Sequence, residues 1–97
     1  MATFISTLRF TAQGIKNIHD TCQRAEAFKA AADARGVRVE QIYWTLGRFD
    51  GLIVMDAPDE ETATAVLLQL GSLGNVSTQT ARAYDADEMQ RVLGKLS

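Results

Sequence analysis

The sequence predicts an α+β fold, with four strands and two helices in the order β-α-β-β-α-β and a short helix after the last strand. Three observations carry this. Apolar residues change spacing near Thr11, Val37, Asp59 and Val76, passing between the period of a strand and that of an amphipathic helix. Gly36, Gly47, Gly51, Pro58 and Gly74 stand at or beside those changes, where chain-breaking residues belong. The 97 residues suffice for one domain, residues 1–97, and are too few for two.

Thr3 to Phe10 reads as the first strand, with Phe4, Ser6, Leu8 and Phe10 on one face and Thr3, Ile5, Thr7 and Arg9 on the other. From Thr11, Ile15, Ile18, Cys22, Ala25, Phe28 and Ala32 recur at helical spacing. Thr11 serves as N-cap and Gly36 ends this helix. Val37 to Leu46 is the second strand, with Val37, Val39, Gln41, Tyr43 and Thr45 on one face and Ile42, Trp44 and Leu46 on the other.

Gly47 to Gly51 forms a hairpin connection, and Gly51 to Met55 follows as a nearly continuous apolar strand. Pro58 stops that strand. Asp59 caps the second helix, whose stripe is Ala63, Val66, Leu67, Leu70 and Leu73. Val76 to Tyr84 is the fourth strand. Asp85 and Glu88 are spaced as a capping pair for a terminal helix with Met89, Val92, Leu93 and Leu96 along one side.

Right-handed crossovers then place both long helices on one face of an antiparallel sheet. The other face carries too many apolar side chains to be left to water. A second copy packed sheet to sheet would cover it, giving a homodimer or a larger ring; the alternative is that the terminal helix folds back over it.

Composition narrows the function. Ten basic and twelve acidic residues give a net charge of −2, and the basic ones are scattered, which disfavours nucleic acid as a partner. No apolar run approaches the roughly 18 residues that cross a bilayer, and no leader pattern is visible. Cys22 is the only cysteine, which excludes an internal disulfide and fits the cytoplasm. Neither a thiolate cluster nor a histidine pair is present for a metal, and no cofactor motif is found.

The stretch Thr45-Leu46-Gly47-Arg48-Phe49-Asp50 resembles the GYD family of small proteins. Gly14-Ile15-Lys16-Asn17, Ala57-Pro58-Asp59 and Leu73-Gly74-Asn75-Val76 support the resemblance, which extends from about Thr3 to Asp87. It implies a ferredoxin-like domain of the dimeric α/β-barrel type, in which two sheets face each other around a cavity. The motif that names the family has tyrosine where Phe49 stands, so a phenolic hydroxyl is not required here. The resemblance implies a fold and no particular reaction.

Several residues are candidates for chemistry. Arg48 with Asp50 could hold an anion, although Gly47, Asp50 and Gly51 are also what a turn needs. His19 is the only histidine; it could act as a base, or as an axial haem ligand as in some relatives of the barrel superfamily, or simply stand at the surface. Cys22, three residues on, is expected to pack as a small hydrophobe. Tyr43, Trp44, Arg82 and Tyr84 could line a site for a flat hydrophobic or aromatic molecule, or form the dimer core, and Arg9 on the first strand raises the same question.

Three functions follow. The first is a small-molecule-binding protein of the dimeric α/β-barrel type, its cavity between sheet and helices or between two sheets. The second is a cofactor-poor enzyme, monooxygenase-like or isomerase-like, with His19 or Arg48 as the polar actor. The third is a structural or regulatory oligomer module with a filled interface.

Overall fold

A computed structural model describes residues 1–96. The elements are β1 (Ala2–Phe10), α1 (Ala12–Lys16), a 3-10 turn (Ile18–Asp20), α2 (Thr21–Ala34), β2 (Arg38–Trp44), β3 (Gly51–Ala57), α3 (Glu60–Ser72), β4 (Val76–Ala83) and α4 (Ala86–Leu93). The strands form one antiparallel sheet in the order β2-β3-β1-β4. This is the ferredoxin-like arrangement.

Strand alternation sorts the side chains. On the inner face Phe4, Ser6 and Leu8 of β1 stand opposite Met55, Ile53 and Gly51 of β3. Phe28 and Ala32 from α2, with Ala63, Val66 and Leu67 from α3, close the core over them. Ser6 is wholly buried, and its hydroxyl shares a hydrogen bond of 2.9 Å with Thr80, so the polar group is not stranded. On the outer face Ile5 lies opposite Val54, and Leu52 lies between Thr7 and Tyr43. No helix covers this face: Tyr43 is 52% exposed.

Three details depart from the sequence pattern. The segment read as one helix from Thr11 is two, because the helix stops after Lys16. The Asn17 side-chain amide donates to the Gln13 carbonyl at 3.2 Å, and its backbone leaves helical angles, a local competition that asparagine favours. The new start at Thr21 resets the helical phase. Cys22 is therefore exposed and Ile15 is 56% exposed, not buried as the spacing suggested, while Phe28 and Ala32 keep their core positions.

The second departure is a register shift in β2 between Val39 and Gln41. It leaves Val39 opposite Met55 and Ile42 opposite Ile53, so both serve the inner face although they are three positions apart in the chain. A bulge of one residue does this. The third concerns the helix ends. Leu73 is 63% exposed at the close of α3, outside the stripe to which its spacing assigned it.

The terminal helix has the capping box its sequence announces: Asp85 accepts from the Glu88 amide at 2.8 Å and Glu88 accepts from the Asp85 amide at 3.1 Å. It does not fold back over the outer face. Met89, Val92, Leu93 and Leu96 all remain exposed. No helix among the described residues is long and apolar enough to cross a membrane.

Candidate functional site

The inner layer is filled at one end and open at the other. Val37, Met55, Ala57 and Ala63 are nearly or wholly inaccessible, at the end where β1 begins and β3 finishes. Toward the end where β1 finishes and β4 begins, α2 presents Ala25 and Ala31 to the space facing α3. Alanine favours the helix but reaches only one carbon into that space. A cleft of about 420 Å³ results, within the roughly 300–1,000 Å³ range of small-molecule sites.

Leu8, Ile42 and Ile53 form its floor on the sheet, and Phe28, Val66 and Leu70 its helical walls. Trp44 borders it from the end of β2, where its indole N–H donates to the Thr21 hydroxyl at 3.0 Å. This bond ties the strand end to the first turn of α2. Gly51 lets the floor close: a Cβ there would stand 2.8 Å from a Leu8 methyl and 3.2 Å from the Tyr43 carbonyl.

Polar groups are few and sit on the partly exposed rim: Thr21, Arg24, Gln69 and Asn75. Among the described residues Arg24 is the only charged one of the lining, and none of them brings a carboxylate to it. Its guanidinium donates to the Asn17 carbonyl at 2.6 Å and to the Gly14 carbonyl at 3.4 Å. It thereby steadies the end of α1 while remaining half-buried beside the apolar walls. Sequence reasoning missed this residue. The one available signal was a lone cation in the first turn of an otherwise alanine-rich helix.

The residues singled out from the sequence do not come together in one place. Trp44 lies in the cleft. Tyr43 borders it along the chain, but its register opposite Leu52 assigns the ring to the outer face. Asp50 is a tie within the fold: its carboxylate accepts from the Phe10 amide at 2.8 Å, and its own amide donates to the Leu8 carbonyl at 2.8 Å. Thr45 completes the knot, its amide donating to Asp50 and its hydroxyl to the Phe49 carbonyl. Arg48 is exposed and makes no ion pair among the described residues, so Asp50 does not hold it. His19 is exposed on the 3-10 turn and does not line the cleft.

Arg82 lies at the opposite end of the sheet. It stands across from Phe4, pairs with Glu88 at 3.0 Å, donates to the Thr3 and Ala83 carbonyls, and lies 4.6 Å from the Tyr84 ring centre. Glu88 is held below its usual carboxylate range by the Asp85 amide first and Arg82 second. These contacts set the angle of α4. Asp56 is likewise lowered, chiefly by the Thr3 hydroxyl that donates to it at 2.6 Å. No group of three or more potential metal ligands is found among the described residues.

Comparison with known proteins gives a consistent frame. The family model described as GYD domain matches residues 4–93. A Thermus thermophilus protein named glutamine synthetase and cystathionine beta-lyase binding protein is 32% identical over 90 residues, which cover 92% of this chain and 95% of that one. The crystal structure of MtbAldR aligns with a TM-score of 0.67 at 12% identity, over 87% of this chain and 53% of the other. This chain thus spans about half the length of MtbAldR. A Thermus thermophilus protein of solved structure aligns with a TM-score of 0.58 at 24% identity, over 89% and 96% of the two chains. At such identities the two structures speak for the fold alone.

Proposed function

This chain belongs to the GYD domain family, and on that premise we propose that it is a small-molecule-binding protein that works as a dimer. The observation that carries the reading is the cleft: about 420 Å³ of apolar space with one charged group on its rim. A core that merely packed badly would lose stability for nothing, since interiors normally fill to crystal-like density. Holding a ligand gives that space a use.

Dimerisation is supported by the outer face. Ile5, Leu52 and Val54 lie together on its two central strands, with Tyr43 beside Leu52 on the edge strand β2. A second copy apposed through this face would bury both apolar surfaces at once. The single exposed thiol of Cys22 suits a reducing, cytoplasmic setting.

Native mass spectrometry of gently purified protein tests both halves. The expected result is a dimer carrying a reproducible small added mass. A bare monomer would overturn the reading.

A second reading has one specific support. The Thermus thermophilus relative is named for binding glutamine synthetase and cystathionine beta-lyase, so docking onto such an enzyme is a function this chain could share. Co-elution of purified glutamine synthetase with the protein on a sizing column would favour it. Separate elution at concentrations near 100 μM, roughly a hundred times a micromolar Kd, would set it aside.

A further inference from the structure

We propose that the cleft takes a small amphipathic monoanion: an apolar body buried between α2, α3 and the sheet, with a carboxylate head received by Arg24. This rests on the reading of the cleft as a ligand site and specifies what enters it.

Charge and geometry lead to this class. Among the described residues Arg24 is the only charged one lining the cleft, and no carboxylate of theirs lines it beside Arg24. The ion pairs of the described residues are Lys29 with Glu26, Arg38 with Glu40 and Arg82 with Glu88, and none involves Arg24. Its hydrogen-bond partners, the Asn17 and Gly14 carbonyls, are neutral. A half-buried guanidinium against apolar walls thus lacks a counter-charge. Such a group favours an anion strongly, because the low-dielectric surroundings screen the attraction poorly. Its planar fork has five donors, so bonds to a carboxylate can be added to those already made.

The remaining rim groups agree with a single anionic head. Thr21, Gln69 and Asn75 are all neutral; the Thr21 hydroxyl accepts from Trp44, and the Asn75 side-chain oxygen accepts from Gln13 at 3.0 Å. A dianion would meet only one cation there. A wholly apolar molecule would leave the guanidinium without its counter-charge. The body must be small, since the volume lies near the lower end of ligand sites.

The test uses octanoate and its neutral counterpart octanol, titrated into the full-length protein, with Trp44 emission and calorimetry as readouts. Trp44 is the only tryptophan and borders the cleft, so its signal reports the site. Octanoate is expected to bind saturably with one molecule per chain, at least about tenfold tighter than octanol, the usual worth of a charge-assisted hydrogen bond. Arg24→Gln should bring octanoate down to the octanol level. Ala31→Leu, which fills the cleft without touching Arg24, should weaken both probes.

Equal affinity for the two probes would overturn the assignment of an anion and leave the cleft as a site for neutral molecules. Absence of saturable binding by either would overturn the site itself. Should Arg24→Gln fail to fold, the comparison of probes on the native protein and on Ala31→Leu still decides.

Discussion

Replacing Gly14 by alanine should destabilise the protein although the position is helical. In an ordinary helix interior the change gains about 1 kcal/mol. Here a Cβ would stand 2.1 Å from the Asn75 carbonyl oxygen and 3.0 Å from its carbon. Main chain cannot swing aside as a flexible side chain can, so α1 must retreat from the Leu73–Asn75 segment. Four hydrogen bonds fasten that contact: the Thr11 amide to the Asn75 carbonyl at 3.1 Å, the Thr11 hydroxyl to Gly74 at 2.6 Å, and the Gln13 side chain to the Leu73 carbonyl and the Asn75 side-chain oxygen, each at 3.0 Å. At about 1 kcal/mol net each, losing two or three of them outweighs the helix gain. The balance is a loss of roughly 1–2 kcal/mol, or a fall in Tm of about 5–15 °C for a domain of this size. Urea unfolding with an unchanged slope is the assay. A Gly14→Ala variant as stable as the parent, or more so, would refute the close approach on which the reasoning depends.

Other expectations follow from the same contacts. Asp50→Ala should cost about 1.5–3 kcal/mol, the worth of a hydrogen bond to a charged group, whereas Arg48→Ala should stay within about 0.5 kcal/mol; chemical denaturation of the two separates a tie in the fold from a free cation. Val54→Asp should leave the far-ultraviolet spectrum intact and abolish self-association in light scattering, because it puts a charge at the centre of the outer face. Glu88 has a lowered pKa in the folded state, so its contribution to holding α4 is present above the ordinary glutamate range and is lost as pH falls through the lowered value. Amide exchange in Ala86–Leu93 should accelerate over that acidic window, and Glu88→Gln should remove the dependence.

The order of the elements was legible because the apolar period changes wherever the chain turns. Asp85 with Glu88, and Asp59 before α3, announced their caps by residue type alone, and both bonds form. What escaped depended on phase. Ile15, Ile18 and Cys22 fit one continuous α-helix only if Asn17 to Asp20 keeps α-helical phase, and that stretch instead breaks at Asn17 and tightens to a 3-10 turn. The bulge in β2 left a trace that strict alternation overlooks: Val39 and Ile42 are both apolar but an odd number of residues apart, which one face accommodates only with an inserted residue.

The cleft was the least legible feature. Ala25 and Ala31 raise helix propensity, and only the placement of α2 beside α3 reveals that they also leave volume unfilled. Arg24 gains its meaning from that same volume. Arg82 and Asp50 looked functional by residue type, yet their hydrogen bonds are directed at α4 and at the end of β1. Charged residues in a sequence do not declare whether they face a ligand or a neighbouring carbonyl.

The most direct test of the cleft is a map of amide and indole shift changes as octanoate is added. The account predicts changes concentrated at the Trp44 indole, Arg24, Ala31 and Leu70, with the outer-face residues Ile5 and Val54 unmoved. Changes centred on Ile5, Leu52 and Val54 would contradict it, because they would put the ligand between two sheets and leave the space between the helices without a function.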